Sequence, residues 1–224
     1  MKTLLKGFSI ANLMLLLFGG IFLGMTIQKG HMIQLLKPAH NYDEVLGEGL
    51  AEGDHVQGDI YYSLGQFATQ STYTQYEDYR TAAKTSGYYY IIPVGNSGLA
   101  AVYVRKADKQ IMDQITNETY AYLEGGASPQ TVLHFNGVAV EMEESLAGLE
   151  AAFREQLKQW EYSDQDIETI IQATEGKLLV LEGPADVTTV YAMAGVGLLV
   201  IALAVFLFIR KYKKEKAWAA QEEE

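Results

Sequence analysis

The chain has 224 residues, 28 acidic and 17 basic, a net charge of −11 with histidine neutral, and no cysteine. Without thiols there is no disulfide stapling, no cysteine nucleophile and no cysteine-ligated zinc, so any exported part must hold itself together by packing. The acidic balance argues against nucleic acid or other polyanions as partners, because like charge raises the cost of approach.

Lys2 and Lys6 flank an apolar run of 20 residues, Phe8 to Ile27. A secretory signal core is usually about 7 to 15 residues long, and the following "TIQKGHMIQ" offers no small-x-small cleavage site, so the run predicts an uncleaved signal anchor. Gly20 and Gly24 form a G-x-x-x-G pair, a spacing that lets another helix approach closely and that also arises by chance among the small residues of membrane helices.

Downstream, "KPAHNYDEVLGEGLAEGDH" carries a candidate helix cap at Asn41 and a short acidic stretch broken by glycine. "HVQGDIYYSLG" alternates Val56, Gly58, Ile60 and Tyr62 against Gln57, Asp59 and Tyr61, which predicts a strand. In "STYTQYEDYRTAAKTSG", Tyr73, Tyr76, Tyr79 and Ala83 recur at helical spacing up to a stop at Gly87. "YYYIIPVGNSGLAAVYVRK" predicts a hairpin, with runs Tyr88 to Val94 and Leu99 to Val104 around Gly95, Asn96, Ser97 and Gly98. Pro93 cannot donate to a ladder and belongs at the strand end or along an edge.

A helix follows, with Ile111, Met112, Ile115 and Tyr122 inward and Gly125 and Gly126 at its close. "TVLHFNGVAVEM" predicts a strand. "EESLAGLEAAFREQLKQW" then sets Leu146, Leu149, Phe153, Leu157 and Trp160 in one stripe, which predicts a continuous helix. Ser163 and Asp166 form a capping-box start to a helix with Ile167, Ile170 and Ile171 inward and Gly176 as its stop. "KLLVLEGP" is a last short strand. Strands and helices mixed in this way, with an adjacent hairpin, indicate a single α+β domain.

From Val187 to Ile209 there are 23 residues without Asp, Glu, Lys, Arg or His. At about 1.5 Å per residue that is roughly 34 Å of helix, enough to cross a hydrocarbon core of about 30 Å. Arg210, Lys211, Lys213, Lys214 and Lys216 follow immediately, interrupted by a single acid, Glu215. Lysine and arginine accumulate on short cytoplasmic flanks, so both ends are expected inside and the basic cluster at the membrane interface, against anionic lipid. The expected layout is residues 1–7 cytoplasmic, 8–27 spanning, 28–186 extracytoplasmic, 187–209 spanning and 210–224 a cytoplasmic basic tail. The charge agrees, since 28–186 holds 24 of the acidic residues and only 10 of the basic ones.

Chemical motifs are sparse. Gly47, Gly49 and Gly53 make a glycine run one residue too long for a dinucleotide fingerprint, with no strand before it. Gly95 to Gly98 lacks the final glycine of a nucleophile elbow. His31, His40, His55 and His134 form no metalloprotease helix motif, and a metal site would need folding to bring them to carboxylates such as Asp54 or Asp59. Asp164, Asp166 and Glu168 alternate like part of a calcium loop but lack its glycine, and helix N-terminal anions account for them; Glu141, Glu143 and Glu144 read the same way. No catalytic residue, cofactor or metal site is therefore assigned. The 15 tyrosines are the remaining signal. Tyr61, Tyr62, Tyr88, Tyr89 and Tyr90 could build a platform that stacks on sugars or peptides, with Tyr61, Tyr88, Tyr90 and the edge beside Pro93, open to a partner strand, as the candidate binding surface, while strand alternation sends about half such residues into a core.

With "YYYIIPVG" and "FNGVAVEMEESL" between two spans, the chain resembles uncharacterised two-span membrane proteins of Gram-positive bacteria, a family of domains of unknown function. That resemblance implies a plasma-membrane, cell-surface location and carries over no catalytic residue. The expected function is a membrane-anchored extracytoplasmic interaction or sensing module, with the lipid bilayer and a protein in the membrane or at the cell surface as partners and no nucleic acid. A cell-surface hydrolase acting on a wall or peptide substrate is the alternative. Spans free of charge argue against an ion or proton pathway.

Overall fold

The computed structural model describes residues 10–29, 32–41, 51–73, 81–94, 98–172, 178–183 and 187–222. In chain order the helices are α1 (Ile10–Lys29), α2 (Met32–Leu35), α3 (Lys109–Leu123), α4 (Met142–Ser145), α5 (Leu149–Gln159), α6 (Asp164–Gln172) and α7 (Val187–Glu222). The strands are β1 (His40–Asn41), β2 (His55–Ile60), β3 (Gly65–Thr72), β4 (Lys84–Val94), β5 (Gly98–Arg105), β6 (Leu133–Glu141) and β7 (Leu179–Glu182). The chain divides into two compact units, Gln34–Ala185 and the joined termini Met1–Ile33 with Asp186–Glu224.

The terminal unit is a pair of packed helices. Both are long and apolar enough to cross a membrane, over Ile10–Ile27 and Thr189–Trp218. Their contact is made by glycine, at positions other than the pair singled out above. A Cβ added at Gly19 would stand 2.6 Å from Ile201 Cγ1 and 3.0 Å from the Gly197 carbonyl, and one at Gly197 would stand 3.3 Å from Phe22 Cβ. Gly20 and Gly24 have open space where their side chains would be. The G-x-x-x-G pair therefore faces away from α7, because Gly19 at one residue's rotation takes the contact. The polar residues Asn12 and Thr26 are buried, and the Thr26 hydroxyl donates to the Leu23 carbonyl at 2.9 Å, which keeps its proton satisfied without water. The basic cluster is helical: α7 continues through Arg210–Lys216 to Glu222, with Lys211 and Glu215 one turn apart at 3.8 Å.

The central unit is a mixed α+β fold around a seven-stranded sheet in the order β1-β2-β6-β7-β5-β4-β3. β4 and β5 form the expected hairpin, with Val94 opposite Gly98; residues 95–97 lie outside the described residues. Alternation sends Tyr88, Tyr90, Ile92 and Val94 to the face covered by Met112 and Ile115 of α3. Tyr89 and Ile91 go to the other face, against Leu149, Phe153 and Leu157 of α5 and Ile167, Ile170 and Ile171 of α6. The latest strand, β7, sits in the middle, parallel to β5 and antiparallel to β6. Its unbroken run "LVL" suits a strand covered on both faces.

Several expectations change. The helix predicted across residues 71–87 is replaced by strand at both ends: Ser71 and Thr72 close β3, Lys84 opens β4, and Gly87 lies within β4 opposite Arg105. Tyr76 and Tyr79 lie outside the described residues. β3 itself has no apolar alternation to announce it and takes its conformation from pairing with β4, with register shifts at Gln66/Ala68 and Gln70/Ser71. Asn41 pairs in β1 with Gln57, and the stretch it was expected to cap, residues 42–50, lies outside the described residues. The stripe from Leu146 to Trp160 is interrupted, because Gly148 adopts φ +79 and Glu143 accepts the amides of Gly148 and Glu150 at 3.0 and 3.2 Å, starting α5 afresh. On α3 the buried face is Met112, Ile115 and Thr119, while Ile111 and Tyr122 stay exposed. The Ser163 cap is as expected, exchanging bonds with Asp166: the Ser163 amide donates to Asp166 Oδ2 at 3.0 Å and the Asp166 amide donates to Ser163 Oγ at 3.2 Å. Gly176 lies outside the described residues.

Candidate binding surface

After Ile60 the chain leaves β2 and is pinned onto α3 by one face of that helix. The amide of Ser63, a fully buried residue, donates to Thr119 Oγ1 at 3.1 Å, Thr116 Oγ1 donates to Ser63 Oγ at 2.9 Å, and Tyr120 Oη donates to the Leu64 carbonyl at 2.8 Å. Positions 116, 119 and 120 share a helix face, so three side chains hold one short segment. With Ser63 anchored inward, Tyr61 and Tyr62 are held outward, 40% and 37% exposed. The Tyr62 ring lies 6.0 Å from that of Tyr122 in a tilted arrangement. Tyr120 and Tyr122 are themselves more than two-fifths exposed. Amphipathic rings fixed in this way offer contact area at little entropic cost on binding.

On the adjoining β2–β6 ladder, Asp59 stands opposite His134, and His134 Nδ1 is 2.5 Å from Asp59 Oδ1. Tyr61 Oη makes a longer contact, 3.4 Å, with Asp59 Oδ2. This imidazole–carboxylate pair lies at the surface, and no group of three metal-ligating side chains occurs among the described residues. His55 is employed elsewhere, between the Lys37 carbonyl at 2.8 Å and Asn136 Oδ1 at 2.9 Å, and His40 lies in β1. The alternating acids of α6 also have protein partners: Asp164 meets Lys158 at 3.0 Å, Asp166 caps the helix, and Glu168 meets Arg154 at 3.0 Å.

The other surface candidates separate. Tyr90 belongs to the core, 1% exposed, with its hydroxyl donating to Asp113 Oδ1 at 2.5 Å; burial, then that carboxylate, pushes its pKa up. A ring placed there cannot stack on a ligand. Tyr88 is half-buried beneath the Lys109 ammonium, 5.1 Å from the ring centre. Pro93 faces Leu99 near the end of β4, and β3 begins only opposite Ile91. Its nitrogen thus points to the side where β3 has ended, as a residue without a donor requires. Among the described residues β3, not β4, forms the sheet edge beside it, and its register shifts blunt strand addition.

A nucleophile-like grouping was not legible in the sequence. Ser145 of α4 donates to Glu182 Oε1 of β7, so the Tyr89 hydroxyl, 2.9 Å away, donates in turn to Ser145 Oγ. Burial raises the Tyr89 pKa to about 12, against the opposing effect of Ser145, so Tyr89 stays protonated; the one basic group at Ser145 in this chain of bonds is the Glu182 carboxylate, and no histidine takes part in it. The grouping ties α4, β4 and β7 together. Tyr120 and Tyr122 were likewise absent from the surface foreseen, Tyr122 being expected inward; their sequence signal was the Tyr-x-Tyr spacing near the end of α3.

The chain belongs to the family described as a domain of unknown function (DUF8577), whose model matches residues 2–210. No curated protein and no solved structure matches it.

Proposed function

We propose that this family member is a membrane-anchored extracytoplasmic interaction or sensing module of a Gram-positive cell surface, tethered through α1 and α7 and engaging a protein partner at Tyr61, Tyr62 and Tyr122. The observation that carries the reading is the pinned segment Tyr61–Leu64, whose buried Ser63 and exposed rings present aromatic surface on a rigid support. Lys2, Lys6 and the five cations from Arg210 to Lys216 favour both termini inside the plasma membrane, which leaves the acidic central unit outside.

Two measurements test it together. A membrane-impermeant thiol reagent applied to intact cells should label a cysteine introduced at the exposed Gln57 and spare one at Lys213; the reverse pattern would overturn the topology. Cross-linking followed by capture of the tagged full-length chain from native membranes should recover a defined partner that a Tyr62→Ala/Tyr122→Ala variant loses while its melting temperature is kept. Turnover of a wall or peptide substrate by the purified chain, with no partner recovered, would favour a surface hydrolase.

A further inference from the structure

A second recess lies apart from the tyrosine surface, where α5 turns into α6. The turn closes with the Glu161 amide on the Lys158 carbonyl at 3.0 Å and the Tyr162 amide on the Leu157 carbonyl at 3.1 Å. These are the paired bonds of a glycine-type helix ending, yet the left-handed position is held by Glu161, at φ +65. Trp160, Glu161 and Tyr162 from the turn, with Asp166, Thr169 and Ile170 from α6, wall a solvent-open groove of about 550 Å³. That volume lies within the roughly 300–1,000 Å³ of ligand sites.

The chemistry of the walls selects among ligands. Two electron-rich rings, Trp160 and Tyr162, stand with two carboxylates, Glu161 and Asp166. Asp166 remains ionised because the Ser163 hydroxyl and amide hold its pKa below the ordinary value. The basic residues of this stretch are already engaged, Lys158 with Asp164 and Arg154 with Glu150 and Glu168. Aromatic faces beside fixed negative charge attract cations. A neutral sugar would use the rings and gain nothing from the charge.

We propose that the Trp160–Tyr162 groove binds the cationic side chain, lysine ammonium or arginine guanidinium, of a partner peptide segment. The site is independent of the tyrosine surface and stands or falls separately from it.

The chain has two tryptophans, Trp160 and Trp218, so Trp218→Phe leaves Trp160 as the sole reporter in the groove. The full-length W218F protein in nanodiscs would be titrated with N-acetyl-trilysine amide, its Nε-acetylated counterpart, the triarginine peptide and chitotriose, following Trp160 emission. The expected result is a saturable change with the lysine and arginine peptides alone, weakened by added salt. Glu161→Gln keeps the backbone strain and removes the charge; it should raise the midpoint on the order of 3- to 10-fold. Tyr62→Ala should leave the midpoint unchanged. No saturable change up to about 10 mM, beyond the weak-binding range, would overturn the proposal. So would an equal response to the acetylated peptide, a response to chitotriose alone, or an unchanged midpoint in Glu161→Gln.

Discussion

Large apolar side chains take opposite positions in the two compact units. In the helix pair Phe18, Phe206 and Leu199 face outward, the last 72% exposed, while glycine and alanine, at Gly19, Gly197, Ala194 and Ala204, lie in the contact or are buried. In the central unit Phe153, Ile91 and Leu157 are buried, and the exposed aromatic rings are tyrosines with a hydroxyl to hydrate. The difference is the one that a helix pair facing lipid and a domain facing water would show. Against lipid, apolar burial supplies no drive, so helices associate by close backbone approach at small residues; against water, the same side chains are driven inward. Glycine is critical in both units for different reasons: in the pair it is the contact, and in the sheet it makes room for a neighbour.

The largest effect should come from filling such a space in the sheet. A Cβ at Gly137 would stand 2.2 Å from the Glu182 carbonyl oxygen and 2.6 Å from Phe135 Cζ. Backbone cannot yield cheaply, so Gly137→Ala should destabilise the central unit by about 2–3 kcal/mol, read from its denaturant midpoint. The helix pair should stay associated in the same variant.

The complementary break is Gly19→Leu. The cysteine-free background allows a Phe22→Cys/Gly197→Cys pair, whose Cβ atoms would lie 3.3 Å apart, near the disulfide range. Mild oxidation should cross-link that pair, Gly19→Leu should abolish the product, and Gly20→Leu or Gly24→Leu should leave it intact. A cross-link that survives Gly19→Leu would remove the close-approach account.

A smaller change sharpens the groove. Glycine is at ease in the left-handed region where Glu161 sits, so Glu161→Gly should raise thermal stability by about 1 kcal/mol. Stability gained with peptide response lost would show a side chain kept at a strained position for binding.

The smallest effect is local and depends on pH. Glu118 of α3 accepts the amides of Gln130 and Thr131 at 2.7 and 2.8 Å and the Thr131 hydroxyl at 2.5 Å, and these bonds lower its pKa from 4.5 to about 2. A depressed carboxyl pKa means the latch contributes fully above about pH 4.5 and is lost as pH falls towards 2. The protection of the Gln130 and Thr131 amides, taken relative to their intrinsic exchange rates, should therefore hold at pH 5 and fall with acid. Glu118→Gln should lower that protection at pH 5, with the difference from wild type closing towards pH 2, and leave global stability without a measurable shift.

Much of the fold was legible where residue period and burial coincide. Leu149, Phe153 and Leu157, the Ser163–Asp166 cap and the alternating "YYYIIPV" each state a local rule that tertiary contacts obey. β3 was not, since "GQFATQST" carries no period and becomes a strand only by pairing with β4. The binding candidates fared unevenly for the same reason. The sequence offered Tyr61, Tyr88 and Tyr90 as equals, and only the packing of α3 on one sheet face separates exposed Tyr61 from buried Tyr90.

What the sequence determined by itself is everything set by nearest neighbours along the chain: two apolar helices, their charged flanks, the hairpin, the helix stripes and a cysteine-free acidic unit. The tertiary structure alone decided that β7 enters the middle of the sheet, that Gly19 rather than Gly20 meets α7, and that Trp160, Tyr162 and Asp166 share one groove. Those outcomes depend on contacts between segments distant in sequence, where local propensity is silent and shape, burial and backbone pairing choose the arrangement.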